Sequence, residues 1–310
     1  MNKRPANIAL DKLELSISDT DLNVNQLLLN LRMLSVQFLD DEIIYDEISL
    51  DKSWRKLYQC GYRAIDTVTK RYIFTIVAQP KLPGMASYTI ILNPNKLQTT
   101  LPNLINWLSV CCRDIDTVTV GRADIKADIE EPFETFRDHL VVKGIRNGKN
   151  SNKRMGDTEY RGSIKSDKYL AVYSLTNKER RENSEINTAY PATHVTRVEC
   201  RLKGKILKGL GLKNLSKLRE IPVFKDVMIL VPKDGNEERL VKLGLGKDHM
   251  TFQSLYSHIN KGKGHFKRRT KGLFKPDNTS ERLSQIANEG WDNFLSNNSK
   301  QSMNSITDST

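Results

Sequence analysis

The chain has 310 residues and carries 49 Lys and Arg against 37 Asp and Glu, a formal net charge of +12 with a sequence pI near 9.4. That length buries a sizeable core without disulfide or metal staples, and that charge favours a polyanionic partner (DNA, RNA or an acidic membrane surface) but also fits a solvated basic surface. Cys60, Cys111, Cys112 and Cys200 form no C-x-x-C pair and no run approaches about 18 apolar residues, so zinc knuckles and membrane spans are excluded and a cytoplasmic protein with reduced thiols is expected.

Residues 8 to 18, IALDKLELSIS, alternate apolar and polar and predict a strand. Leu27, Leu31, Leu34 and Phe38 then fall at helical spacing after Asp21, a candidate cap. Strands follow at 71–77 and 87–92, NPNKL supplies a turn, and LPNLINWLSVCC reads as a helix. From 117 to 129 the alternation returns, with Ala123, Ile125, Ala127 and Ile129 on one face and Arg122, Asp124, Lys126 and Asp128 on the other. PFETFRDHLVV predicts an amphipathic helix, and a Gly, Asn and Lys-rich loop follows over 143–154. TEYRG and SDKYLAVY read as a hairpin, and HVTRVECRLKG as a strand with Val198, Cys200 and Leu202 facing away from Arg197, Glu199 and Arg201. A helix is expected near 248–260. KGKGHFKRRTKGLFK, Lys261 to Lys275, is a candidate phosphate-binding arm through Lys261, Lys263, Lys267, Arg268, Arg269 and Lys271. After Pro276 the composition turns to Asn, Ser, Thr and Gln, so 276–310 is expected to be mostly disordered around one short helix, ERLSQIANEGWDNFL.

Strand, helix and strand recur in the same order in both halves, 8–112 and 117–205, which suggests an internal duplication. The fold class expected is α+β, a curved, largely antiparallel sheet with flanking helices and two similar halves. On one antiparallel sheet, Asp124, Asp128, Glu199, Arg197, Tyr169 and Tyr173 share a polar face. Two chemistries fit it. The carboxylates either pair with Arg122, Lys126, Arg197 and Arg201, or one Asp with Glu199 holds a divalent cation, since Asp124 and Asp128 lie roughly 13 Å apart on a strand. Tyr173 is likewise either a packed ring or a phenol that attacks phosphorus. The histidines, at 139, 194, 249, 258 and 265, include no pair one residue apart, which disfavours nicking enzymes built on such a pair.

The order NPNKL, TVTVGRADIKADIEE, TEYRGSIKSDKYLAVY and HVTRVECRLKG resembles that of the rolling-circle replication initiators of staphylococcal-type plasmids, the Rep_trans family, over about residues 90 to 204. The resemblance implies a metal-dependent enzyme, with Mg²⁺ or Mn²⁺, that nicks one strand of double-strand origin DNA through a 5′-phosphotyrosyl link. It implies Tyr173 rather than Tyr169 as nucleophile and Glu199, Asp124 and Asp128 as metal ligands, and an enzyme of this kind is expected to use Arg197 to help on the phosphate. It further implies single-stranded DNA and a host helicase as partners and a homodimer; with the pattern of the rest of the chain it leads to an expected catalytic domain over 1–205 and a helical, basic origin-recognition region over 206–275. The chain departs from the family pattern at Ala171, where an arginine is usual, and at Ser174 and Leu175. The positive charge missing at 171 is expected from Lys168, Lys178 or Arg197. These departures favour the rival reading, an origin-binding or repressor protein of the same ancestry that does not cut. A weaker third reading is RNA binding through the loop 143–154.

Overall fold

Period-two burial sets the main architecture. A computed structural model of the chain describes residues 7–18, 24–39, 43–67, 72–109, 112–142, 152–155, 158–176, 194–232 and 274–296. These divide into two units, one within 1–124, 203–221 and 288–310, the other within 125–202 and 222–287.

In the first unit β1 (Leu10–Ile17) buries Leu13, Leu15 and Ile17 completely, as its alternation predicts. Helix α1 (Val24–Leu39) follows, with Leu27 and Leu31 buried at one turn's spacing. Strands β2 (Ile43–Glu47), β3 (Tyr58–Asp66), β4 (Tyr72–Pro80) and β5 (Tyr88–Leu92) run as an antiparallel meander. Strand β5 then returns beside β1, setting Leu92 opposite Leu13 and Ile90 opposite Leu15. The NPNKL segment is the single turn α2 (Pro94–Leu97): the Asn93 side chain accepts the Lys96 N–H at 2.9 Å, and that of Asn95 accepts the Ile8 N–H at 3.1 Å. Helix α3 (Leu101–Ser109) buries Leu104, Trp107 and Leu108, with the Trp107 ring edge-on to Phe74 at 5.1 Å.

Strand β6 (Thr119–Ile129) begins in the first unit and ends in the second. The second unit continues with α4 (Phe133–His139), β7 (Leu140–Val142), β8 (Asn152–Met155), β9 (Thr158–Arg161), β10 (Lys168–Ser174) and β11 (Thr196–Lys203). The strand order is β2-β3-β4-β5-β1-β6-β11-β10-β9-β8. Within that order each unit repeats one wiring: a strand, a helix, then a four-strand meander whose last strand returns beside the first. The fold is α+β, with a large antiparallel sheet and a few helices, as the sequence indicates.

Three elements differ from the sequence reading. The helix expected over PFETFRDHLVV stops at His139, because Val141 and Val142 instead pair with β12 (Val227–Pro232), which also pairs with β13 (Phe274–Pro276). Strands β2 and β3, rich in charge and tyrosine, carry too little alternation to stand out in the sequence. The short helix expected over ERLSQIANEGWDNFL is present as α5 (Thr279–Leu295), starting two residues earlier and ending on the same Leu295. Its Leu283, Ala287, Trp291 and Phe294 form a buried stripe at helical spacing that the polar composition masks. The expected helix at 248–260 and the basic arm residues Lys261, Lys263, Lys267, Arg268, Arg269 and Lys271 lie outside the described residues. Among the described residues no helix is long and apolar enough to cross a membrane.

Candidate active site

Strand register places the predicted face. On β10 and β11, Tyr169 lies opposite Arg201, Ala171 opposite Glu199 and Tyr173 opposite Arg197. The intervening Leu170 and Val172 face the other way with Cys200 and Val198, all nearly inaccessible, so the apolar alternation holds the polar set in place.

Tyr173 Oη donates a hydrogen bond to Glu199 Oε1. The other carboxylate oxygen, Oε2, accepts from Arg201 Nε at 3.0 Å and Nη2 at 2.7 Å. Arg201 is itself fixed by two rings, its guanidinium 5.7 Å from the Tyr160 centroid and 5.8 Å from that of Tyr169. The two candidate tyrosines thereby differ in surroundings: Tyr169 packs beside Tyr160 and the Arg201 guanidinium, and Tyr173 meets a carboxylate. Ala171 contributes to this, since its methyl group, opposite Glu199, leaves the carboxylate open to Tyr173, diagonal to it on β10, and to Arg201, two residues along its own strand. Arg201, on the strand beside Ala171, brings a guanidinium to the cluster, where the sequence reading had it only as an ion-pair partner. Lys178 lies outside the described residues.

Arg197, opposite Tyr173, grips Asp128 with two hydrogen bonds, Nε to Oδ1 at 2.6 Å and Nη2 to Oδ2 at 2.8 Å. Lys126 Nζ adds a third at 2.8 Å. Burial alone would raise the Asp128 carboxyl, but the charges of Arg197 and Lys126 outweigh it and hold that group well below the usual carboxylate range. In the first unit Asp124 receives Arg122 Nε at 2.8 Å and Nη2 at 2.6 Å.

These carboxylates therefore stand paired with cations. Among the described residues no three Asp, Glu, His or Cys side chains gather as a metal site. The donor chemistry suits a hard cation, but the lone pairs of Asp124, Asp128 and Glu199 are directed at guanidinium, ammonium and phenol, so a resident Mg²⁺ or Mn²⁺ does not fit the arrangement.

Ion pairing for stability alone is a poor account of the cluster. Buried charges cost several kcal/mol each to desolvate, and a buried pair is often no more stabilising than apolar residues of the same volume. Here Lys126, Arg197 and Glu199 are at most 6% exposed. The first unit shows that the wiring works without them. Aligning the closing strands on their last leucines, Leu92 and Leu202, puts Thr89 at the place of Glu199 and Ile91 at that of Arg201. Counting back along the same alignment, Ser87, just before β5, stands at the number of Arg197. The same wiring therefore occurs in both units, and the charged tyrosine cluster is found in the second.

Comparison with models of known protein families and with curated proteins gives no match to this chain.

Proposed function

We propose that the protein is a rolling-circle replication initiator of a plasmid or phage, which binds origin DNA and nicks one strand through Tyr173. The observation that carries this reading is the Tyr173 hydroxyl bonded to a carboxylate that a third group, Arg201, holds in place, the arrangement of an activated nucleophile. In the step proposed, Tyr173 Oη bonds to phosphorus as its proton passes to Glu199. The bond from phosphorus to the 3′ oxygen breaks, and that oxygen takes a proton from Glu199 or water. The products are a 5′-phosphotyrosyl ester and a free 3′ hydroxyl, and the reverse reaction reseals the strand. Arg197 would balance charge on the non-bridging oxygens, exchanging Asp128 for phosphate.

The metal dependence that the resemblance implies is not carried into this step, because the carboxylates present are already engaged by cations. A divalent cation would have to displace Arg201 from Glu199, or Arg197 and Lys126 from Asp128. Origin DNA, single-stranded DNA, a helicase and a second copy of the chain are the partners the resemblance suggests.

One observation favours the rival reading of a non-cutting DNA-binding protein: Tyr173 is only 4% exposed and Glu199 only 1%. Supercoiled plasmid bearing the DNA that encodes this chain, incubated with the protein in Mg²⁺, Mn²⁺ or EDTA, separates the two. Nicked circles that vanish with Tyr173→Phe support the enzyme, and equal nicking by the variant removes Tyr173 from the mechanism. Plasmid binding without any nick selects the rival.

A further inference from the structure

Two clefts in the first unit meet at one glycine. The first, about 470 Å³, is lined by Thr119, Gly121, Gly204, Lys205, Lys208 and Gly209, with two apolar neighbours, and its only charged residues are the two lysines. Its rim is the turn that follows β11, where Gly204 and Gly209 take φ of 60° and 76°, a backbone that a side chain would strain. The second cleft, about 240 Å³, is walled by Trp54, Leu57 and Met85 over Tyr58, with Glu14, Ser16 and Thr89 as its polar atoms. Trp54 is half-buried and its ring lies 5.9 Å from that of Tyr58, whose hydroxyl is held by Thr89 Oγ1 at 2.9 Å. The charge of Glu14 is answered by Lys12 at 3.0 Å and Arg122 at 3.7 Å.

Gly121 lines both clefts, is exposed, and has no atom nearer than 3.7 Å to where a Cβ would stand. Any longer side chain there would project between them. We infer that the two clefts form one groove for single-stranded DNA: Lys205 and Lys208 take the phosphates, and an unstacked base lies against Trp54. The pairing of a cationic track with an aromatic wall is what a flexible strand needs, because every base has a face to stack and every link has a charge. A duplex offers no free base to the second cleft. A base that enters finds hydrogen-bond acceptors for its N–H groups, the ring N3–H of thymine among them, in Glu14 and Thr89. The choice of DNA over RNA rests on the nicking proposal; the groove itself does not.

The test uses full-length protein carrying Tyr173→Phe, so that nothing is cut, with labelled 15-mers of deoxythymidine and of uridine followed by anisotropy across a range of KCl. Trp54→Ala is expected to weaken the DNA 15-mer by about tenfold, with Trp54→Phe retaining most of the affinity. Lys205→Ala with Lys208→Ala is expected to flatten the slope of log affinity against log salt by about 1.4, two contacts at about 0.7 each on a single strand. Gly121→Gln, which has room to fold, is expected to weaken binding by blocking the junction. Unchanged affinity and slope in the lysine, Trp54→Ala and Gly121→Gln proteins, each melting like the parent, would overturn the groove. Uridine 15-mer bound as tightly as the DNA would overturn its assignment to DNA. A protein that binds through the groove but never nicks would lose the enzyme reading and keep this one.

Discussion

Glu199 sits between a phenol and a guanidinium, and the two neighbours make different demands on it. As a proton acceptor it needs its charge; as a structural acceptor it needs only its oxygens. Glu199→Gln keeps the shape and removes the charge, so it should slow nicking by about 10² to 10⁴-fold while leaving plasmid binding intact, the range expected for a lost general base. Equal loss of binding would point to a folding role instead. Asp128 is a stability prediction. Asp128→Asn leaves Arg197 and Lys126 buried without their counter-charge and should cost about 3 kcal/mol in denaturant unfolding, the scale of a broken buried pair. Its pH dependence has a definite sign. The folded carboxyl lies below its unfolded value of about 3.9, so its contribution is full above about pH 4 and is lost as pH falls through the folded value. The wild type should therefore lose stability between about pH 4 and 2.5 more steeply than Asp128→Asn does.

At the scale of elements, α5 bears the clearest prediction. A Cβ at Gly290 would stand 2.6 Å from the Ala9 backbone nitrogen and 2.9 Å from its Cα, so the helix and β1 would have to part. Gly290→Ala gains about 1 kcal/mol of helix propensity but should still destabilise the protein by about 1–3 kcal/mol, the usual cost of overpacking. A rise in melting temperature would show that the contact can relax. The second half of the helix is also tied by Arg219 to Asp292 at 2.7 Å and by Asn293 to the Asn7 carbonyl at 2.7 Å. Strands β6, β10 and β11 were legible because each alternates strictly enough for one face to be apolar. The helix after them was misjudged by three residues, because Leu140, Val141 and Val142 suit either state and only their pairing with β12 decides. The cage around Arg201 was not legible at all: Tyr160, Tyr169 and Arg201 come from three strands, and register brings them together.

For the whole molecule, duplication and charge are the features that matter. The recurrence of strand, helix and meander could be suspected from segment order, but that the charged residues of β11 have uncharged counterparts in β5 became visible only when Thr89 fell on the place of Glu199. The net charge of +12 predicts that plasmid affinity falls steeply with added KCl, with log affinity linear in log salt. Binding indifferent to salt would mean that the basic surface does not meet phosphate. The central claim, that Tyr173 is a nucleophile, is tested most directly by trapping it. Protein incubated with single-stranded DNA from its own origin region, then digested and mapped by mass spectrometry, should carry a nucleotide on the peptide containing Tyr173, and Tyr173→Phe should carry none. A nucleotide on any other residue would contradict the account.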